Sequence, residues 1–176
     1  MPVETEVKIK VENFNHIRKK LLELGAKKES NVFEKNTLFD DGQRSLMKKD
    51  CLLRLRQDRK TKITYKGPRH LHDMKSREEI EFEVSDIGRA KALLERLGFS
   101  KSLVYEKKRE TWRHGKIEIV LDEVPFGKYM EIEGGKKEII SFAKKLGFSE
   151  SDFTTKTYFE IAKEKGIKGD IVFKKR

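Results

Sequence analysis

Charged residues recur at every second position in several short segments of this chain, and that spacing can build an ion-binding surface. Glu4, Glu6, Lys8 and Lys10 lie two apart, so on a strand they share one face while Val3, Val7 and Ile9 share the other. The pattern returns in Arg54 and Arg56, in Lys62, Thr64 and Lys66, in Glu79, Glu81 and Glu83, and in Glu131 and Glu133. Alternating carboxylates can turn their oxygens toward one hard cation, and Mg²⁺ or Mn²⁺ takes one or two carboxylates together with substrate phosphate oxygens. Glu4, Glu6, Glu131 and Glu133 are therefore the metal-ligand candidates, with Asp122, Glu79 and Glu81 behind them. Lys8, Arg54, Arg56, Lys66, Lys107, Arg109 and Lys156 supply cations from several segments. Arg offers a planar fork and Lys a point charge, a combination suited to a polyanion such as a triphosphate. Of these, Glu4, Glu6, Lys8, Lys66 and Arg109 are expected at the reacting centre. Lys62, Lys108, Lys116 and most helix lysines read as ordinary solvated surface.

These segments need a scaffold that points their charged faces at one another. Three stretches are built alike, each a strand followed by an amphipathic helix and a closing glycine. They run from Glu4 to Lys27, from Arg77 to Lys101 and from Tyr129 to Glu150, and close at Leu24-Gly25, Leu97-Gly98 and Leu146-Gly147. Asn13 and either Ser85 or Asp86 are expected to cap the first two helices. Further strands are expected near 31–40, 51–57, 61–67, 103–113 and 116–123, which makes about eight, enough to close a barrel. The predicted fold is α+β: an eight-stranded antiparallel closed β-barrel, charged inside and apolar outside, with helices packed on the outside. Phe153 to Lys165 reads as a last short helix. Residues 1–167 form the expected single domain, and 168–176 a basic tail outside it.

Composition narrows the partners. Of the 176 residues 40% are charged, against about 25% in ordinary soluble proteins, and the net charge is +11. That balance favours an anionic partner. The chain has no apolar run long enough for a membrane helix and no hydrophobic leader, so the expectation is a cytoplasmic protein with no membrane partner. Cys51 is the single cysteine, which excludes an intramolecular disulfide. Neither a Gly-x-x-x-x-Gly-Lys loop nor a Gly-x-Gly-x-x-Gly turn occurs, which argues against the common nucleotide folds. His70 and His72 read as solvent-facing residues of a lysine-rich turn, not as a zinc site.

Glu4-Thr-Glu6-Val-Lys8 resembles the N-terminal signature of the CYTH superfamily, the triphosphate tunnel metalloenzymes. Leu52-Leu-Arg-Leu-Arg56, Thr64-Tyr-Lys-Gly-Pro68, Lys75-Ser-Arg-Glu-Glu-Ile-Glu81, Lys107-x-Arg109, Leu121-Asp-Glu-Val124, Glu131-Ile-Glu133 and Lys156-Thr-Tyr158 are similar to its class IV adenylyl cyclase branch. Thr157 stands where that branch usually has Ser. The resemblance implies an antiparallel tunnel, Mg²⁺ or Mn²⁺, and conversion of ATP to 3′,5′-cyclic AMP and pyrophosphate. Hydrolysis of tripolyphosphate, thiamine triphosphate or a nucleoside triphosphate in the same tunnel is the alternative, and a non-catalytic polyphosphate or RNA binder is a third. ATP or another triphosphate is the expected partner; no specific nucleic acid is expected, and a homodimer is left open.

Overall fold

The computed structural model describes residues 3–71 and 74–174, so His72 lies outside the described residues, as does the side chain of Glu4. In chain order the elements are β1 (Val3–Val11), α1 (Phe14–Glu23), β2 (Lys27–Asp40), α2 (Ser45–Lys48), β3 (Leu52–Gln57), β4 (Thr61–Lys66), β5 (His70–Leu71) and β6 (Lys75–Val84). There follow α3 (Ile87–Arg96), β7 (Ser100–His114), β8 (Ile117–Val124), β9 (Gly127–Glu133), α4 (Lys136–Leu146), a 3₁₀ turn at Glu150–Asp152, β10 (Phe153–Thr154) and α5 (Tyr158–Glu164). The Asn13 side chain accepts the Asn15 amide N–H and the Asp86 side chain accepts that of Arg89, so both expected helix starts are capped. The three closing glycines, Gly25, Gly98 and Gly147, have φ of 77°, 88° and 92°, left-handed values that a side chain would penalise.

Eight strands ring the molecule in the order β1-β9-β8-β7-β2-β3-β4-β6, and β6 returns to β1; each of these pairings is antiparallel. Closure depends on a short seam, Val3↔Glu78 to Glu6↔Lys75. Because the side-chain period is two, this closure commits one whole face of every strand to the interior. The apolar residues take the outer face. Val7, Ile9, Trp112, Ile119, Leu121, Met130 and Ile132 pack under α1 and α4 through Phe14, Ile17, Leu21, Ile139, Phe142 and Leu146. On the far side Phe39 and Leu55 pack under Leu94 of α3.

Two expectations at the C-terminal end are corrected. The last helix starts later, at Tyr158, because Phe153 and Thr154 pair with Ile9 and Lys8 of β1 and because Thr157 and Glu160 form a capping box. Nor does the described part of the expected tail lie apart from the ring, since Ile171 and Phe173 both bond to β7. β7 runs past its pairing with β8 and leaves Val104 and Glu106 at an edge, where unpaired backbone groups are costly. Ile171 covers that edge: its N–H donates to the Val104 carbonyl at 2.8 Å, and its carbonyl accepts from the Glu106 N–H at 2.9 Å.

The outer core is thus a set of separate apolar patches between helices and ring, the most extensive of them under α1 and α4. Ile139→Ala, which empties a fully buried site on α4, is expected to lower unfolding free energy by about 2–5 kcal/mol in a denaturant titration. A loss below about 1 kcal/mol would mean that α4 does not carry this patch.

Candidate functional site

Ring closure turns the charged faces into the wall of a cavity of about 340 Å³. β1 brings Glu6 and Lys8, β9 brings Glu131 and Glu133, β3 brings Arg54 and Arg56, β4 brings Lys66, and β7 brings Lys107 and Arg109. Nine of the residues expected from sequence spacing therefore meet in one place. Glu79 and Glu81, the further acidic candidates, line it as well.

Two expected residues are placed elsewhere. Asp122 does not line the cavity; it is wholly buried behind the wall, where it accepts hydrogen bonds from Arg109 Nε at 2.7 Å, Lys107 Nζ at 3.1 Å and the Tyr158 hydroxyl at 2.9 Å. Its oxygens hold two cavity cations in position. Lys156 turns outward, its side chain 52% exposed and its ammonium 2.6 Å from Glu164; its carbonyl, not its charge, reaches the site, accepting from Lys8 at 3.2 Å.

The structure also adds residues that sequence reasoning passed over. Lys62, read as surface, lines the cavity with its ammonium 2.8 Å from Glu81. Lys75, Arg77 and Glu118 line it too. The signal was available: Lys62 shares parity with Thr64 and Lys66, and Lys75 and Arg77 share parity with Glu79 and Glu81. Glu34 and Asn36 are different. They are buried on β2, a strand whose polar residues give no clean alternation, and only the β2–β7 register reveals their direction.

Across the wall, cations and carboxylates hold one another. Lys8 reaches Glu131 at 3.0 Å, Arg109 reaches Glu131 at 2.7 Å, Arg56 reaches Glu81 at 3.0 Å, and Lys75 and Lys66 pair closely with Glu6 and Glu79. Burial alone would raise these carboxyl pKa values, but Lys75 holds Glu6 at about 2, while Lys8 and Arg109 hold Glu131 well below the usual range. Glu34, 2% exposed, is held at about 2 against its burial by Lys107, Arg109 and Arg56. Tyr158 closes one side, its ring 4.5 Å beneath the Lys8 ammonium.

Glu133 is the exception. It faces Glu6 across the β1–β9 pair and Glu118 across the β8–β9 pair. Burial, then Glu118, then Glu6 push its carboxyl up to about 7. A carboxylate penalised in this way is one that a divalent cation would relieve, so the residues fit a metal. Among the described residues no three carboxylates stand close enough to enclose an ion unaided. A metal bound at Glu6, Glu131 and Glu133 would draw its other ligands from water and substrate, as Mg²⁺ and Mn²⁺ commonly do.

Residues 2–158 match the CYTH domain family, and the chain belongs to it. The family implies a divalent metal. A Methanocaldococcus jannaschii protein named "Putative adenylate cyclase" is 29% identical over 171 residues, covering 90% of this chain and 98% of its own. The structure of a Vibrio parahaemolyticus protein with the same designation superimposes with TM-score 0.82 at 21% identity, over 91% of this chain and 97% of that one. A Hippeastrum protein, described as revealing a dominant triphosphatase activity, superimposes with TM-score 0.71 at 18% identity, over 96% and 97% of the two chains. The last two likenesses concern the fold.

The charge network predicts a pH signature. Glu34 has a folded pKa depressed from 4.5 to about 2, so it contributes stability above pH 4.5 that is lost as pH falls toward 2. The contribution is about 3 kcal/mol. Glu34→Gln should be less stable than the parent at pH 7 and lose less on going to pH 3, as read by denaturant titration at both values. Parallel losses in the two proteins would contradict this.

Proposed function

We propose that this chain is a metal-dependent enzyme acting on a triphosphate, and that its reaction is conversion of ATP to 3′,5′-cyclic AMP and pyrophosphate. The carrying observation is the pairing of two opposite charge sets on one enclosed wall: carboxylates at Glu6, Glu131 and Glu133, and cations at Lys8, Arg54, Arg56, Lys66, Lys107 and Arg109. Mg²⁺ or Mn²⁺ bound at the carboxylates would supply Lewis-acid polarisation of a phosphoryl oxygen. The chain's own contribution is placement and charge. Arg54 is held by Tyr105 at 3.1 Å and Thr64 at 3.2 Å, and Arg109 by Asp122, so both forks are oriented before a ligand arrives.

In the cyclase reaction the ribose 3′-oxygen attacks the α-phosphorus, the bond to the β-phosphate bridging oxygen breaks, and the hydroxyl proton leaves with pyrophosphate or to water. The cations would stabilise the charge that accumulates on pyrophosphate. Leu52, Thr157, Tyr158 and Phe159 are among the less polar members of the cavity lining, and the Tyr158 and Phe159 rings offer faces on which a base could lie. The second reading is hydrolysis of tripolyphosphate, thiamine triphosphate or a nucleoside triphosphate by water in the same cavity. It is supported by the triphosphatase activity described for the Hippeastrum protein.

Incubation with ATP, and separately with tripolyphosphate, under Mn²⁺ followed by product separation distinguishes the readings. Cyclic AMP with pyrophosphate is expected; orthophosphate alone assigns the chain to the hydrolases, and no product from any triphosphate rejects both. Glu133→Gln is expected to abolish metal-dependent turnover with the fold retained by circular dichroism, and full activity would contradict the metal assignment. Arg56→Met is expected to weaken triphosphate binding by roughly 10- to 100-fold, the worth of one charge-assisted hydrogen bond. An unchanged binding constant by calorimetry in the presence of Mn²⁺ would remove Arg56 from the phosphate site.

A further inference from the structure

The cavity wall carries nine lysine and arginine side chains, and eight of them are engaged by carboxylates. Arg77 is the ninth. Among the described residues no hydrogen bond or ion pair reaches it, although it is only 5% exposed, and its Nε and Nη1 are buried without an acceptor. It stands on β6 at the seam that closes the ring, opposite Glu4 in register. With Glu6, Lys66 and Lys75 it also encloses a small annexe of about 10 Å³ beside the main cavity. Burial disfavours its charged form, and Asp50 and Glu6 offset this only in part.

The difference between Arg77 and the other eight is energetic. A phosphate that binds Lys8, Lys75 or Arg56 must first displace a carboxylate, so most of what it gains there is an exchange of one ion pair for another. Metal bound at the carboxylates would release those cations, which links the two binding events. Arg77 requires no exchange. A buried guanidinium with no counter-ion among the described residues is costly, and a phosphoryl oxygen reaching it from the cavity would supply the acceptor and the negative charge that it lacks.

Resting on the reading of the cavity as a triphosphate site, we propose that Arg77 forms a phosphoryl subsite at the β1–β6 seam that binds inorganic polyphosphate without a divalent metal, ahead of the other basic residues. Arg77 then anchors the anion, and the remaining cations join when metal takes up their carboxylate partners.

The test is calorimetric titration of the full chain with inorganic tripolyphosphate in EDTA at fixed ionic strength, together with melting curves. Wild type is expected to bind, and Arg77→Met to bind about tenfold more weakly or worse, while Lys108→Met, an exposed lysine outside the cavity, changes the metal-free constant less than about threefold and Arg56→Met weakens it less than Arg77→Met does. Arg77→Met is also expected to melt at a higher temperature than wild type in the absence of anion, and to lose the rise in melting temperature that tripolyphosphate gives wild type. Should that variant fail to fold, Arg77→Gln is read in the same way for binding and for the tripolyphosphate-induced rise. Wild-type binding by the variant, or no metal-free binding by wild type, overturns the subsite. If wild type nevertheless turns over a triphosphate under Mn²⁺, the reading of the cavity stands and the subsite alone falls; if it neither binds nor turns over, both fall.

Discussion

Closing an antiparallel ring with charged side chains on its inner face imposes one constraint: each interior charge must find its opposite on another strand. An isolated charge buried in that wall would cost several kcal/mol. The register meets this demand. Glu34 on β2 touches Lys107 on β7, Lys107 touches Asp122 on β8, Arg109 joins Asp122 to Glu131 on β9, and Glu131 holds Lys8 on β1. One continuous chain of ion pairs therefore crosses five neighbouring strands of the ring. The apolar patches outside give the ring its stability, and the charge chain inside gives it a single register, because a one-residue slip would place carboxylates against helices and isoleucines in the cavity.

The same constraint explains why a metal and a polyanion suit this interior. Its carboxylates and cations neutralise one another across distances of about 3 Å, so the ligand-free wall is already paired. A ligand of one sign alone would leave the other set uncompensated. A divalent cation arriving with a triphosphate satisfies both sets together. Among the described residues, Glu133, pushed up to about 7 by burial, Glu118 and Glu6, and Arg77, whose Nε and Nη1 have no acceptor, are places where this charge pairing is incomplete.

Much of this was legible in the sequence because strand parity is a local property. The two-residue spacing of Glu6 and Lys8, of Arg54 and Arg56, and of Glu131 and Glu133 was enough to predict that they share faces, and the apolar residues between them showed which face meets the helices. What was not legible depends on neighbours distant in the chain. Asp122 has the parity of a cavity residue, yet Lys107, Arg109 and Tyr158 converge on it and shut it behind the wall. Lys156 sits in a matching motif, but Glu164, eight residues on along the chain, draws its ammonium outward. Lys62 reads as one more lysine of a lysine-rich surface, and only its closeness to Glu81 on β6 places it inside. The tail from Lys168 has no pattern of its own; the edge it covers exists because β7 outruns β8.

If metal and phosphate open the same interior ion pairs, binding of one must favour binding of the other. Titration of a non-hydrolysable tripolyphosphate analogue at increasing Mn²⁺ measures that linkage directly. Anion affinity is expected to rise with metal in the parent chain, and the rise to be largely lost in Glu133→Gln. An affinity independent of Mn²⁺ would contradict that linkage.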